Sequence, residues 1–108
     1  MSRITHLFES LVRYNNGVEI YREKIERMAV LDYNANGTVV DITIMPNLST
    51  KRAFLTRQEG FTLYYEAIGY QFELECWPDN GTIKRLSVFR VDTGVEYRYM
   101  SNHQDRMF

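Results

Sequence analysis

Chemistry in a short chain is limited by its nucleophiles, imidazoles and paired carboxylates, and this chain has few. Its single cysteine, Cys76, alternates with Tyr70, Phe72 and Leu74 on a period of two. An activated thiolate needs a neighbouring base or cation. An apolar strand face offers neither, so Cys76 reads as a buried structural thiol. The two histidines are His6 and His103. On a helix His6 would have Glu9 nearby, and His103 has Asp105. One carboxylate and one imidazole fall short of the three or four ligands that zinc needs. No nucleophile elbow accompanies either histidine, so a Ser-His-Asp triad has no support. Glu73 and Glu75 share a face of any strand, about 7 Å apart along the backbone. Such pairs can divide acid and base roles on a sugar, but that needs a deep cleft and one carboxylate in an apolar setting. The six glycines are isolated and make no phosphate-cradling loop. No catalytic residue, metal-ligand set or cofactor is assigned, and the balance is against an enzyme.

Binding chemistry has better candidates. If residues 61–67 pair with 70–77, Tyr64, Glu73, Glu75 and Trp77 project from one wet face. Exposed aromatic rings beside fixed charges are typical of protein-binding hot spots. The bland alternative is that Trp77 sits at a strand end, shielded by the turn that follows. A second group, Lys51, Arg52 and Arg57 with Lys84, interleaves cations with Phe54, as a groove for single-stranded nucleic acid would. The chain is slightly acidic overall, however, with a formal charge of −1, and no RNP-like or GXXG sequence accompanies the cations. Short basic strands more often guard an edge or aid solubility.

Turn signals position these residues. Asn34–Gly37, Pro46–Ser49, Gln58–Gly60, Gly69, Pro78–Gly81 and Asp92–Gly94 recur roughly every 9 to 14 residues, close to the interval expected of short strands. Runs rich in Val, Ile, Phe, Tyr and Thr lie between them, so an antiparallel meander is expected. The cleanest alternation is Tyr70, Phe72, Leu74 and Cys76 against Gln71, Glu73, Glu75 and Trp77. Residues 51–56, 82–90 and 95–100 read as further strands. The N-terminus reads differently. Ile4, Leu7, Phe8, Leu11 and Val12 have the spacing of one helical face, which predicts a helix over 3–14, capped by Ser2 and ended by Asn15-Asn16-Gly17. Residues 18–27 are ambiguous. As a strand, Tyr21, Ile25, Ala29, Leu31 and Tyr33 share a face, but Glu23 and Arg27 interrupt it, and a strand over 18–33 would be unusually long. A second helical segment over 17–25 is preferred.

The expected fold class is therefore α+β. One N-terminal amphipathic helix, or two, packs on a curved antiparallel sheet of six or seven strands in meander order. Contact is expected through Leu7, Phe8, Leu11, Ile42, Ile44, Phe72 and Leu74. Residues 1–100 form a single domain and 101–108 a flexible tail. The single cysteine argues for a reducing compartment. No signal-peptide core and no run of about 20 apolar residues is present, so the cytoplasm is the expected location. With eight Tyr, six Phe and one Trp, the chain is rich in residues that suit both sheets and interfaces.

The preferred function is a non-enzymatic protein-binding domain: an accessory subunit, adaptor or inhibitor of a larger complex. It would act through the exposed face or edge of its sheet, and a homodimer is a natural form. The first alternative is a small-molecule-binding or enzymatic cone-like domain with a pocket between helix and sheet, lined by Tyr65, Tyr70 and Phe72. The second is single-stranded nucleic-acid binding, with nucleic acid an unlikely partner. No membrane partner is expected.

Overall fold

The computed structural model describes residues 2–79 and 81–101, and among them the secondary structure is all-β, with no helix. Eight strands follow one another: β1 (Ser2–Asn15), β2 (Val18–Tyr33), β3 (Val39–Met45), β4 (Leu48–Glu59), β5 (Thr62–Ala67), β6 (Tyr70–Cys76), β7 (Ile83–Arg90) and β8 (Val95–Met100). Each pairs antiparallel with the next, and β8 pairs back onto β1 through Ser10–Met100 to Asn15–Val95. The sheet is thus a closed barrel, and the α+β expectation is corrected. No helix packs on it, and the strands number eight rather than six or seven. The expected short strand over 51–56 is the middle of the twelve-residue β4. Of the expected tail, Ser101 is buried and its N–H donates to the Lys84 carbonyl at 3.0 Å. The remainder, with His103, lies outside the described residues.

The helix expected over 3–14 is β1, and a bulge explains the misleading period. The β1–β2 register shifts between Phe8 and Ser10, as an extra residue in one strand demands. Before the shift the even positions face inward, with Ile4 opposite Leu31 and His6 opposite Ala29. After it the odd positions do, with Leu11 opposite Tyr99 and Arg13 opposite Tyr97. Two strand alternations joined out of phase put apolar residues at the three-and-four spacing of a helix. Leu7 belongs to neither inward set and is 43% exposed, whereas Phe8 is fully buried.

The helical segment expected over 17–25 lies in β2, which runs sixteen residues. Its inward set is the odd series from Tyr21 to Tyr33. Ala29 and Leu31 lie in the core, and Ile25 and Tyr33 pack against it. Glu23 and Arg27 belong to the same face but stand at an open end of the barrel. They break the apolar pattern because that part of the strand borders solvent rather than core.

An eight-stranded barrel has an interior just wide enough for side chains to fill or for one small ligand. Here it is filled. Phe8, Leu31, Ile42, Phe72 and Leu86 are all essentially inaccessible. The Phe8 ring lies 4.7 Å from His6 and 6.0 Å from Tyr99. Tyr65 is also buried, and its hydroxyl donates to the Gly37 carbonyl at 3.1 Å, satisfying a polar group that burial would otherwise penalise. The residues expected to join helix to sheet, apart from Leu7, all belong to this one cluster. The pocket expected between helix and sheet is absent because there is no helix; Tyr65 and Phe72 occupy the core, and Tyr70 packs at its margin.

Tight turns link the strands. At one of them Gly94 has φ +73°, where an L side chain is strained. The Gly94 carbonyl accepts from the Asn16 N–H at 3.2 Å, tying the β7–β8 turn to the β1–β2 turn where the barrel closes.

Candidate binding surface

Strand register places outward side chains in rows across the barrel. One row runs Arg57, Tyr64, Glu73, Ser87 and Arg98 over β4 to β8. The neighbouring row runs Glu66, Gln71, Phe89 and Glu96. Together, Arg98 excepted, they line a groove of about 540 Å³ on the outside of the sheet. A twisted sheet can present such a concavity on its outer face. Ser87 lies buried in this region, where it accepts a hydrogen bond from the Arg85 guanidinium.

The charges of the groove are unevenly compensated. Arg57 lies over the Tyr64 ring at 4.1 Å and pairs with Glu59 at 3.1 Å. Arg98 donates to Glu96 at 2.7 Å and lies over Tyr14 at 4.0 Å. Hydrogen bonding to Glu96 raises the Arg98 pKa above its ordinary value. Glu66 and Glu73 line the same groove and make no direct ion pair among the described residues, although the charge of Glu73 is felt by Arg98 and helps raise its pKa. Two rings, Tyr64 and Phe89, therefore stand beside two carboxylates without a direct salt bridge.

The sequence-derived candidates separate into groups. Tyr64 and Glu73 face each other across β5 and β6, and both line the groove. Glu75 lies one step along the same face but is held by Arg85 at 3.2 Å and Lys84 at 3.6 Å. Trp77 lies beyond the end of β6, where its N–H donates to the Thr82 carbonyl and Lys84 sits 4.8 Å from its ring. It does not line the groove. Glu66, Gln71, Ser87 and Phe89 were not among the candidate site residues of the sequence reading. Glu66 was legible from its alternation with Tyr64, whereas Ser87 and Phe89 needed the β6–β7 register.

The basic candidates do not form one surface. Lys51 pairs with the inward-facing Ile42, whereas Arg52 pairs with the outward Asp41. Arg52 also makes a two-pronged contact with the Asp41 carboxylate, at 2.9 and 3.1 Å. Arg57 and Lys84 have carboxylate partners of their own. A phosphate backbone would have to compete for three of the four cations.

Nucleophilic chemistry gains no support from the geometry. Cys76 packs against the core, and burial together with the charge of Glu75 pushes its thiol up, away from thiolate. Among the described residues no three His, Cys, Asp or Glu side chains are placed to hold a metal ion. Among the described residues no helix is long and apolar enough to cross a membrane. Comparisons with family models, with curated proteins and with solved structures find no match to this chain.

Proposed function

We propose that the protein is a non-enzymatic binding domain that docks a basic segment of another protein in the groove outside β4–β8. The carrying observation is the presence of Tyr64 and Phe89 beside Glu66 and Glu73, two carboxylates without a direct salt bridge, in one concavity. The rings supply apolar area with little rotamer freedom to lose, and the carboxylates select Lys or Arg and penalise acidic competitors. The groove lies on the sheet face, whereas the remaining free edge runs along residues 2–9 of β1 and 18–27 of β2, away from it, so the face carries the reading. The filled interior speaks against a ligand enclosed within the barrel.

Selection from a displayed random-peptide library tests this. Peptides enriched on the wild-type chain should combine Lys or Arg with an aromatic or aliphatic residue. Glu66→Lys with Glu73→Lys should reverse the charge preference, and Tyr64→Ala should weaken every enriched peptide. Enrichment without a basic bias, or peptides that bind the reversed variant equally well, would refute the groove.

A further inference from the structure

Four turns meet at one end of the barrel: β1–β2, β3–β4, β5–β6 and β7–β8. At that end the inward faces open into a depression of about 320 Å³, separate from the outer groove. Its floor is core: Leu11, Ile44, Val88 and Tyr99. Its wall carries Tyr21, Tyr70 and Tyr97.

Cations surround these rings. Lys51 Nζ lies 5.4 Å and the Arg90 guanidinium 5.9 Å from the centre of Tyr70. The Arg13 guanidinium lies 5.7 Å from Tyr97 and 6.0 Å from Tyr21. Of these cations Arg90 lines the depression itself, as does Arg27, held by the Asn47 side chain at 2.6 Å; Lys51 and Arg13 stand behind the tyrosine rings. Among the described residues only Arg90 of these four has a carboxylate partner, Asp92 at 3.2 Å. The Arg13 Nε is buried and has no hydrogen-bond partner among the described residues. Glu23 is the one carboxylate lining it.

We propose that this end of the barrel binds a small aromatic anion, its ring against the tyrosines and its carboxylate or phosphate at Arg90, with Lys51 beside the same Tyr70 ring. The volume matches roughly ten waters at liquid density, enough for one ring and one anionic group. It also falls at the low end of ordinary ligand pockets. Glu23 opposes the anion and favours a ligand with a hydrogen-bond donor on that side.

Phenyl phosphate is a suitable probe, with phenol and inorganic phosphate as its two halves. Titration of the intact chain, followed by calorimetry and amide NMR, should show phenyl phosphate binding more tightly than either half. Shifts should centre on Tyr21, Tyr70 and Tyr97. Lys51→Gln with Arg90→Gln should weaken it about tenfold or more, since charge-assisted contacts are lost. Glu23→Gln should tighten it, an opposite effect that general unfolding cannot imitate. Inorganic phosphate binding as tightly as phenyl phosphate overturns the proposal. So do shifts centred on Tyr64 and Glu73, unchanged affinity in the double variant, or no tightening in Glu23→Gln. Apart from shifts at Tyr64 and Glu73, none of these results bears on the peptide groove, which shares no lining residue with the proposed site.

Discussion

Leu7 and Phe8 are adjacent in sequence and opposite in fate, so truncating each in turn tests the strand assignment of β1. In a helix with the apolar stripe Ile4, Leu7, Phe8, Leu11 and Val12, both side chains would be buried and both truncations would cost alike. In the barrel, Phe8 is fully inaccessible and packs against His6 and Tyr99. Phe8→Ala should cost about 3–5 kcal/mol, the transfer term plus the cavity left among stiff neighbours. Leu7 is 43% exposed on the outer face, so Leu7→Ala should cost no more than about 1 kcal/mol, since only part of a side-chain burial of roughly 1.5–3 kcal/mol is lost. Urea unfolding followed by circular dichroism measures both. With a slope of about 1–2 kcal/mol per molar, Phe8→Ala moves the midpoint by roughly 1.5–5 M. Domains of this kind have about 5–15 kcal/mol in total, so Phe8→Ala can approach global unfolding while Leu7→Ala remains near wild type. Leu7→Lys serves as a second check, because the strand tolerates it and a buried helical position does not. Equal losses from Leu7→Ala and Phe8→Ala would falsify the strand assignment and the bulge that sets the two faces.

Three further outcomes are expected. Gly94→Ala should destabilise by about 1–3 kcal/mol in a thermal melt, since a non-glycine residue at this φ is strained and its Cβ would lie 2.5 Å from Asn16 Oδ1; an unchanged melting temperature would show that the turn contact is dispensable. Burial pushes the Tyr99 hydroxyl up to about 12 and raises that of Tyr65 from their ordinary value of 10.0. The neutral ring is the form the fold favours, so their contribution is complete below pH 10 and is lost as pH rises towards 12. Tyrosinate absorbance should rise in two phases, and a single phase at the free-tyrosine value would contradict the burial. The Arg52 guanidinium holds the Asp41 carboxyl below its ordinary value, so the pair stabilises above the usual carboxylate range and fades as pH falls through the lowered value. Asp41→Asn should remove that part of the acid dependence of stability, with a small amplitude because the pair is exposed.

The second half of the barrel was largely legible in the sequence. The runs after Gly60 alternate cleanly, and Tyr64 and Glu73 could be placed on a shared outer face because β5 and β6 pair without a bulge. The first half was not. The register shift between β1 and β2 changes the phase of the alternation along β1, and no single-period reading follows a pattern that changes phase midway. In β2 the alternation continues, but Glu23 and Arg27 mark the barrel's open end, which exists only once all strands have closed. The groove required cross-strand register to bring Phe89 and Ser87 beside Tyr64, and that register is set by the β6–β7 and β7–β8 pairings. Trp77 looked like an anchor from composition, yet it lies outside the groove because β6 ends at Cys76.

The β1–β8 seam has a consequence for how the protein is made. β1 emerges from the ribosome early and can zip onto β2 at once, yet its other side must wait for β8, the last strand translated. Until then the nascent sheet is an open ribbon with two raw edges, each a template for pairing with a neighbouring chain. The final contacts join the most distant parts of the strand order, and such long-range pairing is slow. Vulnerability to aggregation should therefore peak just before β8 is released from the tunnel and vanish on closure, so translation speed through the β7–β8 codons becomes a determinant of yield.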